Sequence, residues 1–161
     1  MAIIVKVIRH TNPGLPYLRN LCNYGRDHEI ARDGLGVNPD IQDVAYAQMV
    51  ALRRYYNQLS TNPAAHIVVS FDGWTDNAEF VLQNAPAIAA YFQNSYQLIW
   101  SVHPADQDSS HYHMHIMLNS VNIQNGKLFH SGPAEMHAFA AYVMQFTGQP
   151  YKLVFEQRKN W

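Results

Sequence analysis

Histidine alternates with apolar side chains from residue 111 to residue 116, and this alternation constrains the fold of the chain more than any other feature. The segment reads His-Tyr-His-Met-His-Ile-Met-Leu-Asn-Ser-Val. Because successive side chains of a β-strand point to opposite faces of a sheet, the imidazoles of His111, His113 and His115 share one face. The intervening apolar side chains face the core. The pattern therefore predicts a strand with a row of histidines on one side.

A second strand is predicted immediately before this one. Residues 97–103, Gln-Leu-Ile-Trp-Ser-Val-His, are rich in apolar and β-branched side chains, as strands are. The short connection at 104–110 predicts that the two strands pair as a hairpin. Symmetric pairing across this connection sets His103 opposite His111, which adds His103 to the histidine face.

The remaining elements are predicted from periodicity and from turn residues. Strands are expected at residues 2–9, 65–71 and 151–155, and helices at 15–25, 41–59, 76–94 and 133–146. Residues 25–40 contain glycines, a proline and alternating charges, and they are predicted to form a loop. Because the order of elements includes a hairpin, the expected fold class is α+β, with a central antiparallel sheet of about five strands and flanking helices.

The composition limits the class of protein. The chain has 161 residues, of which 48% are hydrophobic and 14% charged, which predicts one globular domain over residues 1–161. No apolar run is long enough to span a bilayer, so a soluble, cytoplasmic protein without a membrane partner is expected. Cys22 is the only cysteine, which excludes an internal disulfide and zinc clusters built from thiolates. The formal net charge of -1 does not by itself indicate nucleic-acid binding.

The histidine face is a candidate metal site. Three imidazoles that converge on one point suit a borderline divalent ion such as Mn, Ni, Co or Zn, and Mg is a weaker match for imidazole. We expect the ligands to be His103, His113 and His115. Asp106 is expected to orient a ligand ring by accepting a hydrogen bond from it. The competing interpretation is a histidine-rich strand that faces solvent and binds no metal.

Several motifs resemble those of a known family. Ser101-Val-His-Pro-Ala-Asp106, followed by His113-Met-His-Ile-Met-Leu-Asn119, is similar to the metal-binding motif of plasmid relaxases, which are mobilisation nucleases of the His-hydrophobic-His endonuclease superfamily. The segments His66-Ile-Val-Val-Ser-Phe71 and Asn125-Gly-Lys127 also resemble parts of that family, and the likeness extends from about residue 15 to residue 155. The spacing from His103 to His113 is longer than in the family, which leaves open whether His111 is a ligand.

The resemblance implies a metal-dependent, site- and strand-specific endonuclease and strand transferase that acts on single-stranded DNA. Relaxases cut one strand by the attack of a tyrosine on a phosphodiester, which leaves a 5′-phosphotyrosine. The family's tyrosine follows the first strand, and Tyr17 and Tyr24 occupy that region here. Tyr24 is the predicted nucleophile because it ends the first helix and precedes a charged loop, and Asp106 completes the catalytic set. His10 and His28 are further candidates, since some relaxases use histidine.

The resemblance also implies partners and supporting residues. The expected partner is single-stranded DNA at a plasmid origin of transfer, together with other relaxosome proteins. His111 and Asn119 are expected to support the metal ligands. Cationic DNA contacts are expected at Arg19, Arg26, Arg53, Arg54 and Lys127. Candidates for stacking on DNA bases are Trp74, Trp100 and Trp161.

Two other functions stay open at this point. A rolling-circle replication initiator would carry its nucleophile after the histidine strand, and Tyr142 in the predicted helix 133–146 is the position to test. A non-catalytic metal-binding or DNA-binding accessory protein would take up metal without cleaving DNA. Relaxases usually carry C-terminal extensions, so the chain is also compatible with the N-terminal part of a longer protein.

Overall fold

Six strands form one sheet in the part of the chain that this computed structural model describes, which comprises residues 1–10, 14–41, 43–59 and 63–158. The strands are β1 (Ile3–His10), β2 (Ala31–Leu35), β3 (Ala64–Ser70), β4 (Leu98–His103), β5 (His113–Asn119) and β6 (Tyr151–Arg158). The helices are α1 (Leu15–Cys22), α2 (Val44–Tyr55), α3 (Ala78–Ala89) and α4 (Pro133–Thr147). Single turns of 3-10 helix lie at Gly73–Thr75 and Ala90–Phe92.

The strands follow one another across the sheet in the order β2-β4-β5-β3-β1-β6. β1 and β6 run parallel, and the other neighbouring pairs are antiparallel. The α+β class is therefore confirmed, with a sheet slightly larger than expected. The additional strand is β2, which falls within residues 25–40, where the sequence predicts a loop. β2 is an edge strand that pairs through its main chain with β4, and its sequence, Ala-Arg-Asp-Gly-Leu, carries no clear strand pattern.

The hairpin of β4 and β5 has a different register from the expected one. His103 pairs with His113 and Ser101 pairs with His115, so the connection runs from residue 104 to residue 112. A shift of two residues keeps every side chain on its original face of the strand. His103, His113 and His115 therefore share one face, while His111 lies outside the strand.

The two faces of the sheet are covered differently. One face packs against α3 and α4 and forms the larger hydrophobic core, which includes Val69, Met114 and Phe139. The opposite face carries the histidines, and α1 and α2 cover one half of it by packing on Ile99 and Met117. The other half of the histidine face is polar. This division places a polar cluster and a hydrophobic layer side by side on one face of the sheet.

Local signals set the ends of the helices on the core face. The side chain of Asn77 accepts a hydrogen bond from the Phe80 amide at 2.8 Å, which caps α3. α4 begins at Pro133 and ends before Gly148, whose φ of 64° suits glycine. Among the described residues, no helix combines the length and the apolar character needed to cross a bilayer.

A buried arginine connects α2 to the sheet. Arg53 is 0% exposed, and its guanidinium donates to the carbonyl of Pro63 at 3.1 Å. It also donates to Asn119 Oδ1 at 3.1 Å and to Ser120 Oγ at 3.2 Å. The expectation that Arg53 contacts DNA is corrected, because this guanidinium is enclosed by protein and already binds buried acceptors.

Asn119 belongs to the same buried network. Its amide nitrogen donates to the carbonyl of Met49 at 3.3 Å and to Gln97 Oε1 at 3.0 Å. Asn119 ends β5, whereas His113 begins it, so the two side chains lie at opposite ends of the strand. The expectation that Asn119 supports the metal ligands is therefore corrected: this residue fastens α2 to the sheet.

Replacing Arg53 is expected to destabilise the fold. In Arg53→Ala the buried acceptors lose a charged donor, so the free energy of unfolding should fall by about 2 to 4 kcal/mol. Arg54→Ala is the matched control, because Arg54 is exposed on the same helix and its loss should change stability by less than about 0.5 kcal/mol. Urea unfolding followed by circular dichroism measures both variants. Equal losses of stability would contradict the role assigned to Arg53.

Candidate metal centre and the adjoining tyrosine

Three imidazoles meet where β4 ends and β5 begins. One ring nitrogen from each of His103, His113 and His115 lies within 4.8 Å of the other two, and the three side chains are buried. The register explains this proximity, because His103 is directly opposite His113 and His115 follows on the same face. The structure thus brings the three predicted ligands together.

The outer nitrogens of two of these rings are held by neighbouring groups. His113 Nδ1 donates to the carbonyl of His111 at 2.9 Å, and His103 Nε2 is 3.0 Å from Ser101 Oγ. Because a carbonyl only accepts hydrogen bonds, His113 Nε2 carries a lone pair that faces the cluster. Anchoring of this kind fixes the orientation and the tautomer of imidazoles that bind metals.

His66 holds the third ring, a role that the sequence analysis did not assign to it. His66 lies on β3, and its Nε2 is 2.8 Å from His115 Nδ1. A cation held by His115 Nε2 would leave the hydrogen on Nδ1, which would then donate a hydrogen bond to His66 Nε2. The sequence contained a signal for this contact, since a histidine within an apolar strand needs a polar partner.

Burial lowers the pKa of His66, His103 and His115. Desolvation lowers the pKa of His66 to about 3, with a smaller effect of Arg158, and it lowers the pKa of His103 to about 4, with a smaller effect of His113. Burial, followed by the neighbouring His66, also holds the pKa of His115 well below its ordinary value. A neutral imidazole has a free lone pair, so His103 and His115 are ready to bind a metal ion at neutral pH.

Asp106 lies on the inner side of the cluster. Its carboxylate oxygens are 3.4 Å from His103 Nδ1 and 3.3 Å from His113 Nε2. These nitrogens face the cluster, whereas Ser101 and the His111 carbonyl hold the outer nitrogens. Asp106 is therefore placed to contact a bound cation. The sequence predicts instead that Asp106 orients a ligand ring by accepting a hydrogen bond from it, but other groups hold the outer ring nitrogens.

The imidazole of His111 lies outside the cluster. Its Nδ1 is 2.7 Å from Asp76 Oδ2, and the other oxygen of Asp76 accepts a hydrogen bond from the Tyr112 amide at 2.8 Å. His111 thus supports His113 through its main-chain carbonyl. Its ring pairs with a carboxylate on a different segment.

The residues of the cluster fit a divalent metal ion. Within the described part of the chain, the inner nitrogens of His103, His113 and His115 are buried and have no hydrogen-bond partner. Burying such atoms without a partner costs free energy, and a single cation would satisfy all three. Imidazole nitrogens combined with a carboxylate oxygen suit Mn, Co, Ni or Zn.

Tyr24 adjoins this cluster. It lies in the turn after α1, and its ring centroid is 5.2 Å from that of His66 and 5.2 Å from that of His115. Its hydroxyl donates to Asp108 Oδ2 at 2.6 Å. Burial and then the hydrogen bond to Asp108 raise the pKa of Tyr24 to about 12, an effect that Arg158 opposes. The phenol is therefore protonated at neutral pH and has a carboxylate ready to accept its proton.

Gly25 allows the turn that carries Tyr24 to lie directly against the metal ligands. Its φ is 70°, a left-handed conformation that favours glycine. A Cβ at this position would overlap the imidazole of His103. The pair Tyr24-Gly25 thus combines a hydroxyl with the close main-chain approach that brings it to the histidine cluster.

The other candidate nucleophiles are placed less favourably. Tyr17 belongs to α1 and is buried in the hydrophobic cluster that α1 and α2 form on the sheet. Its ring packs on that of His10, with 4.6 Å between the ring centroids. Tyr142 belongs to α4, which covers the opposite face of the sheet, and its hydroxyl donates to the carbonyl of Ala87 at 2.6 Å. The sheet therefore separates Tyr142 from the histidines. His28 is exposed near His103, with 6.2 Å between ring centroids.

The predicted DNA contacts other than Arg53 lie nearer the surface. Arg19 pairs with Asp43 at 2.8 Å, and Arg26 donates to main-chain carbonyls of the segment before α2. Arg54 and Lys127 are exposed. Of the candidate stacking residues, Trp74 is 63% exposed, Trp100 is buried and Trp161 lies outside the described residues.

Removal of one ligand should abolish tight metal binding. His103→Ala, His113→Ala and His115→Ala each delete one donor of the cluster, so Mn affinity should fall by more than about 100-fold, beyond the loss usual for a supporting residue. His137→Ala is the control, because His137 lies on α4 and contacts Tyr151. Titration calorimetry with MnCl2 measures all four variants. Unchanged affinity in His113→Ala would overturn the ligand set.

The metal-free protein should lose stability as pH falls from 7 to 5. The unfolded chain binds protons at imidazoles of pKa near 6.5, whereas His66 in the folded protein stays neutral down to about pH 3. Folding therefore becomes less favourable at lower pH, by on the order of 2 kcal/mol per such buried imidazole. Urea unfolding in EDTA at several pH values measures this dependence. His66→Gln should flatten it, and an equally steep dependence in that variant would contradict the argument.

The comparisons with known proteins agree with this geometry. The model of the family described as Relaxase: MobA/VirD2-like, nuclease domain, matches residues 17–148. Searches of curated proteins and of solved structures return no match. The match spans Tyr24 and the whole histidine cluster, and it covers most of the chain. The chain therefore belongs to the family of MobA/VirD2-like relaxase nuclease domains, which are DNA-nicking endonucleases.

Proposed function

We propose that this domain is a metal-dependent relaxase, which cuts one strand of DNA by the attack of Tyr24 and later rejoins it in plasmid mobilisation or conjugation. The observation that carries the proposal is the contact between the Tyr24 hydroxyl and Asp108 beside the histidine cluster, at 2.6 Å. A hydroxyl, a proton acceptor and a set of metal ligands are the groups that transfer of a phosphodiester to tyrosine requires.

Asp108 is suited to receive the proton of Tyr24. Burial acts to raise the pKa of this carboxyl, but hydrogen bonds from Tyr24 and Arg158 outweigh burial and hold the pKa below its ordinary value. Asp108 is thus ionised at neutral pH and accepts the phenolic hydrogen. As Tyr24 Oη bonds to the phosphorus, its proton passes to Asp108, so the developing charge does not stay on a phenolate of high pKa.

The covalent step conserves the energy of the phosphodiester. The bond from Tyr24 Oη to phosphorus forms while the bond from phosphorus to the 3′ oxygen breaks, and the 3′ oxygen takes up a proton from solvent. One strand then ends in a free 3′ hydroxyl, and the other is joined through its 5′ phosphate to Tyr24. Attack of a 3′ hydroxyl on the phosphotyrosine reverses these steps and rejoins the strand.

His103, His113 and His115 would hold the metal ion, with Asp106 beside them. A divalent cation held there would supply Lewis-acid chemistry to a phosphate and would offset negative charge in the transition state. The protein positions this charge by anchoring the outer nitrogens of the rings. Tyr24 lies beside His115, so its hydroxyl can reach a phosphate held at the cluster.

Single-stranded DNA at a plasmid origin of transfer is the proposed substrate, with other relaxosome proteins as partners. The exposed cations Arg19, Arg54 and Lys127, and the partly exposed Arg26, are proposed phosphate contacts. Trp74 is proposed to stack on a base because most of its ring is exposed. The formal net charge of -1 implies that these cations act locally.

The rolling-circle initiator is the weaker alternative. It requires a nucleophile after the histidine strand, and the sheet lies between Tyr142 and the metal ligands. A non-catalytic accessory protein would still bind metal. The experiment below separates these functions.

Tyr24→Phe should eliminate the covalent adduct. The protein is incubated with Mn and labelled single-stranded oligonucleotides that tile the DNA flanking its gene, and denaturing gels then show any protein-linked strand. The wild type should give a slower band and Tyr24→Phe none, because only the attacking oxygen is missing. Circular dichroism and Mn affinity should be unchanged in the variant.

Tyr17→Phe and Tyr142→Phe are the controls, and both should form the adduct. An adduct that persists in Tyr24→Phe would exclude Tyr24 as the nucleophile. Loss of the adduct only in Tyr142→Phe would favour the replication initiator. Metal binding by a wild type that gives no adduct with any oligonucleotide would favour the accessory protein.

A further inference from the structure

Arg158 reaches the candidate site from outside the segment that the family model matches. It ends β6, ten residues beyond residue 148, where the match stops. Its guanidinium donates to Asp108 Oδ1 at 2.9 Å. The other oxygen of Asp108 accepts the hydroxyl of Tyr24. One carboxylate thus joins an arginine of the sheet edge to the tyrosine beside the metal ligands.

Lys6 holds the main chain of the loop that carries Asp108. Lys6 lies on β1, which pairs in parallel with β6, and its Nζ donates to the carbonyl of Asp108 at 3.3 Å. Glu156 completes the group, because it lies 3.8 Å from Lys6 Nζ and also accepts Arg158 Nε. Two adjacent strands therefore hold both the carboxylate and the carbonyl of Asp108.

The position of Asp108 depends on this group. Its side chain is 7% exposed, and a buried carboxylate needs hydrogen bonds or a cation to stay out of water. Within the described residues, this carboxylate contacts Arg158, Tyr24 and, at 3.7 Å, the inner nitrogen of His115. Without Arg158, turning toward solvent would lower the free energy of the carboxylate, and this movement would separate the carboxylate from Tyr24.

We propose that Arg158 is a positioning residue for the tyrosine, which acts by holding Asp108 against the Tyr24 hydroxyl, with Lys6 fixing the main chain of the same loop. The proposal rests on the function proposed above. It adds a requirement that the matched segment alone does not contain, because β6 must be in place before the loop that carries Asp106 and Asp108 has its correct position.

Two other roles of Arg158 make different predictions. An arginine that only stabilises the sheet edge would affect unfolding and would leave the reaction of the folded protein unchanged. An arginine that only contacts DNA would weaken DNA binding and would leave the rate at saturating DNA unchanged. A positioning residue lowers the rate at saturating DNA and leaves DNA affinity nearly the same.

The first test measures adduct formation against oligonucleotide concentration for Arg158→Ala and for Lys152→Ala. Lys152 is the matched control, because it is an exposed cation on the same face of β6, away from Asp108. We expect the saturated rate of Arg158→Ala to fall roughly 10- to 100-fold, since small displacements of reacting groups have effects of this size. The oligonucleotide concentration that gives half of the saturated rate should change less than about twofold. Mn affinity should persist, because the variant removes no side chain of the histidine cluster.

Chemical rescue distinguishes positioning from a general loss of structure. Arg158 is 26% exposed, so added guanidinium can reach the space its side chain leaves. Millimolar guanidinium should restore part of the adduct rate in Arg158→Ala and should not accelerate the wild type or Lys152→Ala. Arg158→Lys should retain intermediate activity, because an ammonium replaces one of the two contacts.

A second test needs no DNA. The amides of Asp106 and Asp108 are bonded within the loop, to Ser109 O and to Asp106 Oδ1, both at 2.8 Å. Hydrogen exchange at these amides should accelerate in Arg158→Ala and in Lys6→Gln, and it should be unchanged in Lys152→Ala. Lys6→Gln preserves the argument if Arg158→Ala does not fold.

The outcomes separate this proposal from the proposed function. A wild type without adduct overturns the function, and the exchange measurement still decides whether Arg158 holds the loop. Unchanged exchange with an unchanged saturated rate overturns the role of Arg158 and leaves Tyr24 as the nucleophile. An Arg158→Ala variant that needs more oligonucleotide for half-saturation but keeps its saturated rate also overturns the positioning role, because Arg158 would then be a DNA contact.

Discussion

The burial of imidazoles on a central strand is the constraint on which the rest of this structure depends. All residues of β5 are buried, so its histidines have lost their hydration. Such rings are tolerated only if their outer nitrogens find partners within the protein. Ser101, His66 and the His111 carbonyl meet that demand, and each is positioned by a strand or by the connection leading into it.

The inner nitrogens of these buried rings form a candidate metal site. They are held toward one another by the anchored rings, and the carboxylate of Asp106 faces them. An arrangement that is unfavourable for the protein alone is favourable for a divalent cation, because the lone pairs are already oriented. The same burial that lowers the pKa of His103 and His115 raises the pKa of Tyr24, so these two imidazoles are neutral while the phenol keeps its proton.

The site is assembled from segments that are far apart in the sequence. The histidines come from the central hairpin, Tyr24 comes from the turn after α1, and Arg158 comes from the edge strand β6. Gly25 removes the steric barrier on one side, and the group of Lys6 and Arg158 fixes the loop on the other. The half of the sheet face that α1 and α2 leave uncovered becomes the place where these segments meet.

The sequence by itself determined which side chains share a face, because the alternation of a strand is local and survives an error of two residues in register. It also indicated the α+β class and placed the histidines together. The register itself, the edge strand β2 and the roles of Arg53 and Asn119 were decided by tertiary structure. Main-chain pairing leaves no side-chain pattern in β2, and a charge is buried or exposed according to distant partners. Arg158 lies beyond the predicted end of the last strand, since its polar neighbours carry no strand signal, and only the folded sheet brings it to Asp108.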